Sequence, residues 1–209
     1  MILMYHKVDV IAPTLWWVRV STFERQLEAL ADRDVVPLDQ YRSDNPRHCV
    51  ITFDDAYENI YRHVFPMLRE RGWPFEIFVI GNAIGKWSGE KSSEPRTRYA
   101  SREQLLEMAA AGARIQWHTR DHCKLLGADP ALLAQQLELP HELRHDFPAP
   151  HLRWFAYPYG SHDPAAVAAA KLGFVGALSV MDGNPDDRYQ WNRVVVDDSM
   201  ELQQQAAFV

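Results

Sequence analysis

The chain is poor in cysteine: its 209 residues include only two, Cys49 and Cys123. Two thiols so far apart form no disulfide framework and no Cys-x-x-Cys metal motif, so the sequence favours two free thiols. Long apolar segments are missing as well, because no hydrophobic run approaches the roughly 20 residues that span a bilayer. The first six residues lack the basic and hydrophobic regions of a signal peptide. We therefore expect a cytoplasmic protein without a membrane-spanning segment.

Positive charge is also scarce, since 22 lysines and arginines stand against 28 aspartates and glutamates, a formal net charge of −6. Proteins that bind nucleic acid need a basic face against the phosphates, so the composition argues against that class. Binding of a neutral sugar stays compatible, because sugars are held by hydrogen bonds and aromatic stacking. Hydrophobic residues make up 47% and charged residues 24%, as in ordinary globular proteins. We expect one domain over residues 1–209.

Short apolar runs alternate with helix-like stretches along the chain. The runs are rich in β-branched and aromatic residues, as buried parallel strands are: Ile2–Met4, Val50–Phe53, Phe75–Ile80, Arg114–Trp117, Trp154–Tyr157, Phe174–Val180 and Val194–Val196. This alternation predicts a parallel sheet, open or closed into a barrel. In either form ligands collect at the carboxyl ends of the strands.

Several helix starts are readable between the runs. Ser21–Glu24 and Ser101–Gln104 have the pattern of capping boxes. Asp129-Pro130 and Asp163-Pro164 each combine an N-cap residue with a proline at the first helical position. The polar segment 81–98 is predicted to be one exposed loop.

Two adjacent carboxylates, Asp54 and Asp55, end the second apolar run. Their mutual repulsion is costly unless a cation or a proton offsets it. The alternative is that Asp55 caps the helix predicted around residues 58–71. Because neighbouring residues of a strand point in different directions, we expect the two aspartates to have different roles.

Two histidines, His118 and His122, follow the fourth run in the sequence His-Thr-Arg-Asp-His. Histidines at positions i and i+4 can converge on one ion, although a chain with nine histidines also contains such pairs by chance. Both clusters follow strands that should end on the same face. Asp55, His118 and His122 would then form the three-ligand set of a catalytic zinc site, with positions open for water.

A third cluster, Phe155-Ala156-Tyr157-Pro158-Tyr159-Gly160, ends the fifth run. The proline fixes the backbone and the glycine permits a tight turn, so an amide there is expected to point into the cleft. Pro158 is thereby a candidate for binding or orienting the substrate. The alternative is an ordinary turn between a strand and a helix.

In this order, Asp-Asp, His-Thr-x-x-His and Pro-Tyr-Gly resemble the first three motifs of the NodB-homology polysaccharide deacetylases, carbohydrate esterase family four. Met4–Val8, Phe65–Leu68 and Ser101–His118 add to a resemblance that extends to about Val180. It implies an α/β fold, a distorted parallel (β/α) barrel with about seven strands. It also implies a metal-dependent hydrolase that removes N-acetyl groups from a sugar of a polysaccharide or glycan precursor.

The resemblance implies a role for each matching residue. Asp54 corresponds to the general base, and the backbone amide of Tyr159 to the group that stabilises the oxyanion. Asp55, His118 and His122 correspond to the metal ligands, with Zn2+ as the expected ion and Co2+ or Ni2+ as alternatives. The implied partner is a carbohydrate, and the sequence gives no oligomeric state.

The sequence departs from the family pattern near the first and third motifs. Ala56 replaces a glycine, which is tolerable unless the backbone needs a positive φ. Ala156 replaces the arginine that orients the catalytic aspartate. Arg193, at the start of the last run, is predicted to supply that guanidinium and to lie within hydrogen-bonding reach of Asp54; a surface arginine is the alternative.

A further departure is that no Leu-x-His motif, where the family's general acid lies, occurs near the C-terminus. An amine leaving group must be protonated, so another donor is required. His6, at the end of the first run, is the leading candidate. The alternatives are His162, Asp54 acting in both directions, and a histidine beyond Val209.

Aromatic residues supply candidates for sugar contact, and Trp16 and Trp17 follow the first run, where they could stack on a sugar face. Two other functions fit the same residues. One is a degenerate, non-catalytic carbohydrate-binding domain, favoured by Ala156 and by the missing histidine. The other is a deformylase that acts on a related amide.

Overall fold

The structure is a computed structural model that describes residues 1–89, 93–181 and 183–202. Its strands are β1 (Ile2–Tyr5), β2 (Lys7–Asp9), β3 (Trp17–Arg19), β4 (Asp34–Val35), β5 (His48–Asp55), β6 (Phe75–Val79), β7 (Ala113–Trp117), β8 (Trp154–Ala156), β9 (Gly176–Ser179), β10 (Trp191–Asn192) and β11 (Val194–Val195). Its α-helices are α1 (Val20–Ala29), α2 (Phe65–Arg71), α3 (Arg102–Ala110), α4 (Pro130–Leu137), α5 (His141–Asp146) and α6 (Pro164–Gly173). A π-helical turn, Ile60–Val64, leads into α2, and short 3-10 turns lie at Leu38–Gln40, Gly81–Ala83 and Pro158–Gly160.

The main sheet is parallel and runs in the order β10-β9-β8-β7-β6-β5-β1-β11, with β4 beside the start of β5. Only Arg193 separates β10 from β11. One segment, 191–195, therefore pairs with β9 at one edge of the sheet and with β1 at the other. This closing segment brings the two edges together into a distorted (β/α) barrel. Counted as one strand, it makes seven barrel strands, as the sequence predicts.

Two apolar clusters hold the barrel together because strand side chains alternate between its faces. The larger cluster joins alternate strand residues to the helices, among them Phe23 of α1, Leu105 of α3 and Ala166 of α6. The smaller cluster contains strand residues of the opposite face and fills the barrel: Ile2, Leu38, Val50, Phe78, Trp154, Ala156 and Leu178. Leu38 lies in a 3-10 turn and is the one member that does not come from a strand. The interior is thus a packed core and not an open channel.

All seven apolar runs form strands, and most of the helix starts are confirmed. Ser101 forms the capping box with Gln104, while Asp129 and Asp163 cap α4 and α6 through their side chains. The capping box predicted at Ser21–Glu24 is wrong. Strand β3 continues directly into α1, so the helix begins at Val20 without a side-chain cap.

The sequence did not predict β2, β3, β4 or β10, which have only two or three residues each. Strands this short show no periodicity. β2 and β3 pair with each other in a separate parallel sheet, beside the carboxyl end of β1. In the part of the chain that the structure describes, no helix combines the length and the apolarity that crossing a membrane requires.

Candidate active site

A cavity of about 480 Å³ opens at the carboxyl ends of the barrel strands. Its wall brings together eight residues that the sequence singles out: His6, Trp16, Asp54, Asp55, His118, His122, Tyr159 and Arg193. Seven of them come from the ends of β1, β5, β7 and β8 and from the closing segment, and Trp16 directly precedes β3. Because all these strands are parallel, their polar ends meet at one edge, as expected.

The side chains of Asp55, His118 and His122 converge on one point of this cavity. Asp55 Oδ1 lies 3.6 Å from His118 Nε2 and 3.5 Å from His122 Nε2. One potential ligand atom of each residue lies within 4.8 Å of the others. Asp55 Oδ1 is buried and, among the described residues, no group donates a hydrogen bond to it. A buried carboxylate oxygen without a donor is costly, so this arrangement fits a cation held between the three side chains.

The imidazole of His118 is set up as a neutral ligand. Its Nδ1 lies 2.7 Å from the carbonyl oxygen of Ala156. A carbonyl only accepts, so Nδ1 carries the proton and Nε2 faces the cavity with its lone pair. Burial, together with the nearby imidazole of His122, lowers the pKa of His118 to about 4 despite the opposing charge of Asp54. The ring is therefore neutral at physiological pH.

Backbone geometry at the end of β5 corrects one expectation. Asp55 and Ala56 both have a left-handed backbone, with φ of 69° and 59°. The strand alternation ends there, and Asp54 and Asp55 both face the cavity instead of opposite sides. Asp54 Oδ2 lies 3.9 Å from His118 Nε2, close to the point on which the three side chains converge. Asp55 does not cap the helix predicted around residues 58–71, since the helical residues begin at Glu58 and the amide of Glu58 donates to the carbonyl of Arg98 at 2.8 Å.

The first prediction concerns Ala56, which replaces a glycine of the family pattern. Its φ is positive, and a glycine adopts a positive φ without strain. A left-handed backbone at a residue with a Cβ costs about 1 kcal/mol. Ala56→Gly is therefore expected to raise the free energy of unfolding, measured by denaturant titration, by up to about 1 kcal/mol. Loss of the Ala56 methyl group, which is only 3% exposed, offsets part of the relieved strain. Ala109→Gly in α3 is the matched control, because the same change within a helix should lower stability by about 1 kcal/mol. A loss of stability in Ala56→Gly would contradict the strain.

Asp54 is paired with Arg193, as predicted. Two guanidinium nitrogens, Nη1 and Nη2, each donate to one carboxylate oxygen at 2.6 Å. The two side chains are only 4% and 1% exposed. Burial alone would raise the pKa of Asp54, but the charge of Arg193 and its hydrogen bonds outweigh it and hold that pKa well below its usual range. The carboxylate is thus ionised and fixed in orientation.

The arginine reaches Asp54 because of its place in the closing segment. Its amide donates to the carbonyl of Ser179, which joins this segment to β9. Its guanidinium also donates to Thr52 Oγ1 at 3.2 Å and lies over the ring of Phe78. The side chain therefore enters the barrel from the strand that closes it. Its role in orienting Asp54 during a reaction stays a prediction.

His6 and His162, the two candidate acids, occupy different places. His6 follows β1, lines the cavity and lies with its ring 4.9 Å from that of Trp16. Burial lowers the pKa of His6, although Asp55 and Asp54 partly offset that effect. His162 lies outside this cavity and stacks on Tyr157. Its Nδ1 is 3.0 Å from the carbonyl of Gly160 and its Nε2 is 3.3 Å from Gln190 Oε1; both oxygens accept, so a neutral ring donates to one of them.

The turn Pro158–Gly160 presents Tyr159 at the cavity mouth. Tyr159 has a φ of 60°, is 55% exposed and lies with its ring 4.7 Å from that of His122. Gly160 is required, because a Cβ there would lie 2.5 Å from Val180 Cγ2 and the residue has a φ of 67°. Pro158 is buried and is not among the residues lining the cavity, so it shapes the turn and does not face a ligand.

A buried ion pair corrects two further expectations. Lys7 Nζ lies 2.5 Å from Glu94 Oε2, and both side chains, at 5% and 6% exposure, belong to the cavity wall. Trp17 donates to the same oxygen at 3.1 Å and is only 2% exposed, so it is not available for stacking on a sugar. Trp16, in contrast, lines the cavity. The segment 81–98 is therefore not one exposed loop, since Glu94 returns to the wall.

Comparison with known proteins identifies a family and several relatives of this chain. A family model described as "Polysaccharide deacetylase" matches residues 41–177. The Bacillus subtilis protein YxkH, provisionally assigned as a polysaccharide deacetylase, is 27% identical over 192 residues, covering 87% of this chain and 64% of that protein. A poly-beta-1,6-N-acetyl-D-glucosamine N-deacetylase of Staphylococcus aureus is 27% identical over 207 residues, covering 88% of this chain and 69% of the relative. The chain thus spans about two thirds of the length of these relatives.

Solved structures share the fold over nearly the whole chain. The Streptococcus pyogenes deacetylase PplD, in complex with acetate, matches with a TM-score of 0.80 at 20% identity, covering 100% of this chain and 97% of that one. IcaB from Ammonifex degensii matches with a TM-score of 0.74 at 24% identity, covering 99% and 96%.

Proposed function

Because the chain belongs to the polysaccharide deacetylase family, we propose that it is a metal-dependent hydrolase that removes N-acetyl groups from a sugar of a polysaccharide or glycan precursor. The observation that carries this proposal is the convergent set of Asp55, His118 and the partly exposed His122 beside an ionised, non-ligating Asp54. We further propose that residues 1–209 act as one catalytic domain, with Zn2+ as its metal and Co2+ or Ni2+ as alternatives.

Asp55, His118 and His122 would hold the cation. The fit rests on the donor-free oxygen of Asp55 and on the His118 tautomer that points Nε2 into the cavity. When bound, a divalent ion there acts as a Lewis acid, which polarises the amide carbonyl and lowers the pKa of water. A binding domain would need the three ligands but has no use for a separate, oriented carboxylate.

The remaining groups divide the proton transfers and the charge stabilisation of amide hydrolysis. Asp54, oriented by Arg193, accepts a proton from the attacking water. The backbone amide of Tyr159 donates a hydrogen bond to the oxyanion of the tetrahedral intermediate, a contribution of about 3–4 kcal/mol in comparable sites. His6 gives a proton to the departing amine. Water therefore adds to the acetyl carbon, the C–N bond breaks, and acetate and a free amine leave.

The substrate we propose is an N-acetylated sugar polymer. The Staphylococcus aureus relative acts, by its name, on poly-beta-1,6-N-acetyl-D-glucosamine. The cavity, at about 480 Å³, has room for one sugar unit, and the partly exposed Trp16 offers it an apolar face. Release of acetate from β-1,6-linked N-acetylglucosamine oligomers, with and without a chelator, tests the proposal. Activity that the chelator abolishes and Zn2+ restores is expected.

Two other activities can be separated in the same assay. A degenerate carbohydrate-binding domain would bind the oligomers and release no acetate with any added metal. A deformylase would release formate from N-formyl sugars faster than acetate from N-acetyl sugars. The paired Asp54 and Arg193 favour an active hydrolase, because a buried charge pair at the cavity floor serves no purpose in a binding surface.

His6→Ala supplies a prediction about the general acid. Without a proton donor the amine would have to leave as its anion, which is too costly at neutral pH. Removal of the donor should therefore lower turnover by roughly 10²–10⁴-fold. Metal content should stay unchanged, because His6 is not among the converging ligand atoms. Turnover and zinc per chain are measured together. Near-wild-type turnover would exclude His6 and leave Asp54, acting in both directions, as the donor.

A further inference from the structure

The loop between β7 and α4 carries both histidine ligands in a strained backbone. Thr119 and His122 have left-handed φ values of 68° and 58°. Such conformations cost about 1–2 kcal/mol each for residues with a Cβ, so they persist only where the surroundings determine them. The amide of His122 donates to Thr119 Oγ1 at 2.9 Å, which fixes one turn of the loop. The rest of the support comes from outside it.

Gln136, in the last turn of α4, holds one side of this loop with four hydrogen bonds. Its backbone carbonyl accepts from Trp117 Nε1 at 3.0 Å and from the amide of Arg120 at 3.1 Å. Its side-chain oxygen accepts from the amide of Asp121 at 3.0 Å, and its side-chain nitrogen donates to Asp121 Oδ2 at 2.8 Å. The Gln136 side chain is buried, although glutamine is usually found at the surface.

The 3-10 turn after β6 holds the other side. The amides of Gly81 and Asn82 donate to the carbonyls of Thr119 and Arg120 at 3.0 and 2.8 Å. Asn82 Nδ2 also donates to the remaining carboxylate oxygen of Asp121 at 2.6 Å. Asp121 therefore links both supports through its carboxylate. It is also the residue directly before His122. Position 81 admits only glycine, because a Cβ would lie 2.4 Å from the ring of Trp117.

We propose that Gln136 is a positioning residue for His122, and that it acts through Asp121 and Asn82. The three side chains hold the strained loop in the one conformation that aims the ring of His122 at Asp55. This inference rests on the proposed metal site. It assigns no ligand role to Asp121, since its two carboxylate oxygens accept from Asn82 and from Gln136.

Gln136→Met isolates the side-chain bonds, because it keeps the length of the side chain and leaves both bonds to the backbone carbonyl intact. Asp121→Ala removes the link from an exposed position, where truncation leaves the core untouched. Both variants are expected to weaken Zn2+ binding by about 10–100-fold, the usual effect of removing an outer support of a ligand. Asp121→Asn should retain most of the affinity, because the amide of Asn82 can turn and offer its oxygen.

The measurement is a Zn2+ titration against a competing chelator, together with thermal unfolding of the metal-free proteins. Arg120→Ala is the matched control: it lies in the same loop, and its side chain makes a surface ion pair with Glu138 at 3.2 Å. It should bind Zn2+ as the wild type does. Wild-type affinity in both Gln136→Met and Asp121→Ala overturns the proposal. If Gln136→Met unfolds, the result for Asp121→Ala decides.

A wrong assignment of the metal ligands would give a different result from a wrong assignment of Gln136. In that case His118→Ala would leave the affinity for Zn2+ unchanged, whatever the supporting variants do. A role in folding alone would lower the unfolding temperature of the metal-free protein without changing the affinity, which also overturns the proposal.

Discussion

His118→Ala is expected to leave the protein with little bound metal and no measurable release of acetate. The substitution removes one of three ligands whose atoms converge within 4.8 Å, and with it the imidazole that the carbonyl of Ala156 orients. Two remaining ligands do not make the three-residue set of a catalytic site. Zinc per chain, measured after dialysis, and acetate release from N-acetylglucosamine oligomers should therefore fall together.

Two further variants accompany His118→Ala, one at the second histidine ligand and one as a control. His122→Ala should behave in the same way, because its Nε2 lies 3.5 Å from the same oxygen of Asp55. His145→Ala is the control, since its side chain is 81% exposed on α5, outside the cavity. It should keep both metal and activity. Unchanged metal content in both His118→Ala and His122→Ala would show that the ligand assignment is wrong.

Much of the barrel could be predicted because its signals are local. Each buried strand is a short run of β-branched or aromatic residues, and each cluster of polar residues follows such a run. Parallel strands then bring Asp55, His118 and His122 to one edge without any further information. The helix caps at Ser101, Asp129 and Asp163 are local as well.

The rest depends on geometry that no local pattern carries. The left-handed backbone at Asp55 and Ala56 turns both aspartates toward the cavity, whereas strand alternation separates them. The return of Glu94 to Lys7 depends on contacts between residues 87 positions apart. Trp17 is buried by that same pair, and no feature of the adjacent Trp16-Trp17 sequence distinguishes the two rings. Arg193 could be found only because Ala156 left a known position without its guanidinium.

Asp54→Asn is expected to separate catalysis from metal binding. It removes the carboxylate that would accept a proton, so turnover should fall by about 10²–10⁴-fold. The metal should stay bound, because Asp54 is not one of the converging ligands. Asp55→Asn should instead weaken metal binding itself. Equal loss of metal from the two variants would contradict separate roles.

The stability of these variants should differ as well, since Asp54 is also one half of a buried ion pair. Its loss leaves the guanidinium of Arg193, only 1% exposed, without a counter-charge, and breaking such a pair costs about 3–5 kcal/mol. Asp55→Asn removes no such partner, so the metal-free protein should unfold close to the wild type. Denaturant titration of metal-free protein measures both.

A double variant resolves the two functions of Asp54. Adding Arg193→Met to Asp54→Asn removes the uncompensated charge, so much of the lost stability should return. Activity should not return, because no carboxylate is restored. If the double variant instead regained turnover, the defect of Asp54→Asn would lie in a distorted cavity and not in the missing base. Stable, metal-loaded and inactive protein is the outcome that assigns the proton transfer to Asp54, with Arg193 as the group that keeps its carboxylate ionised and aimed.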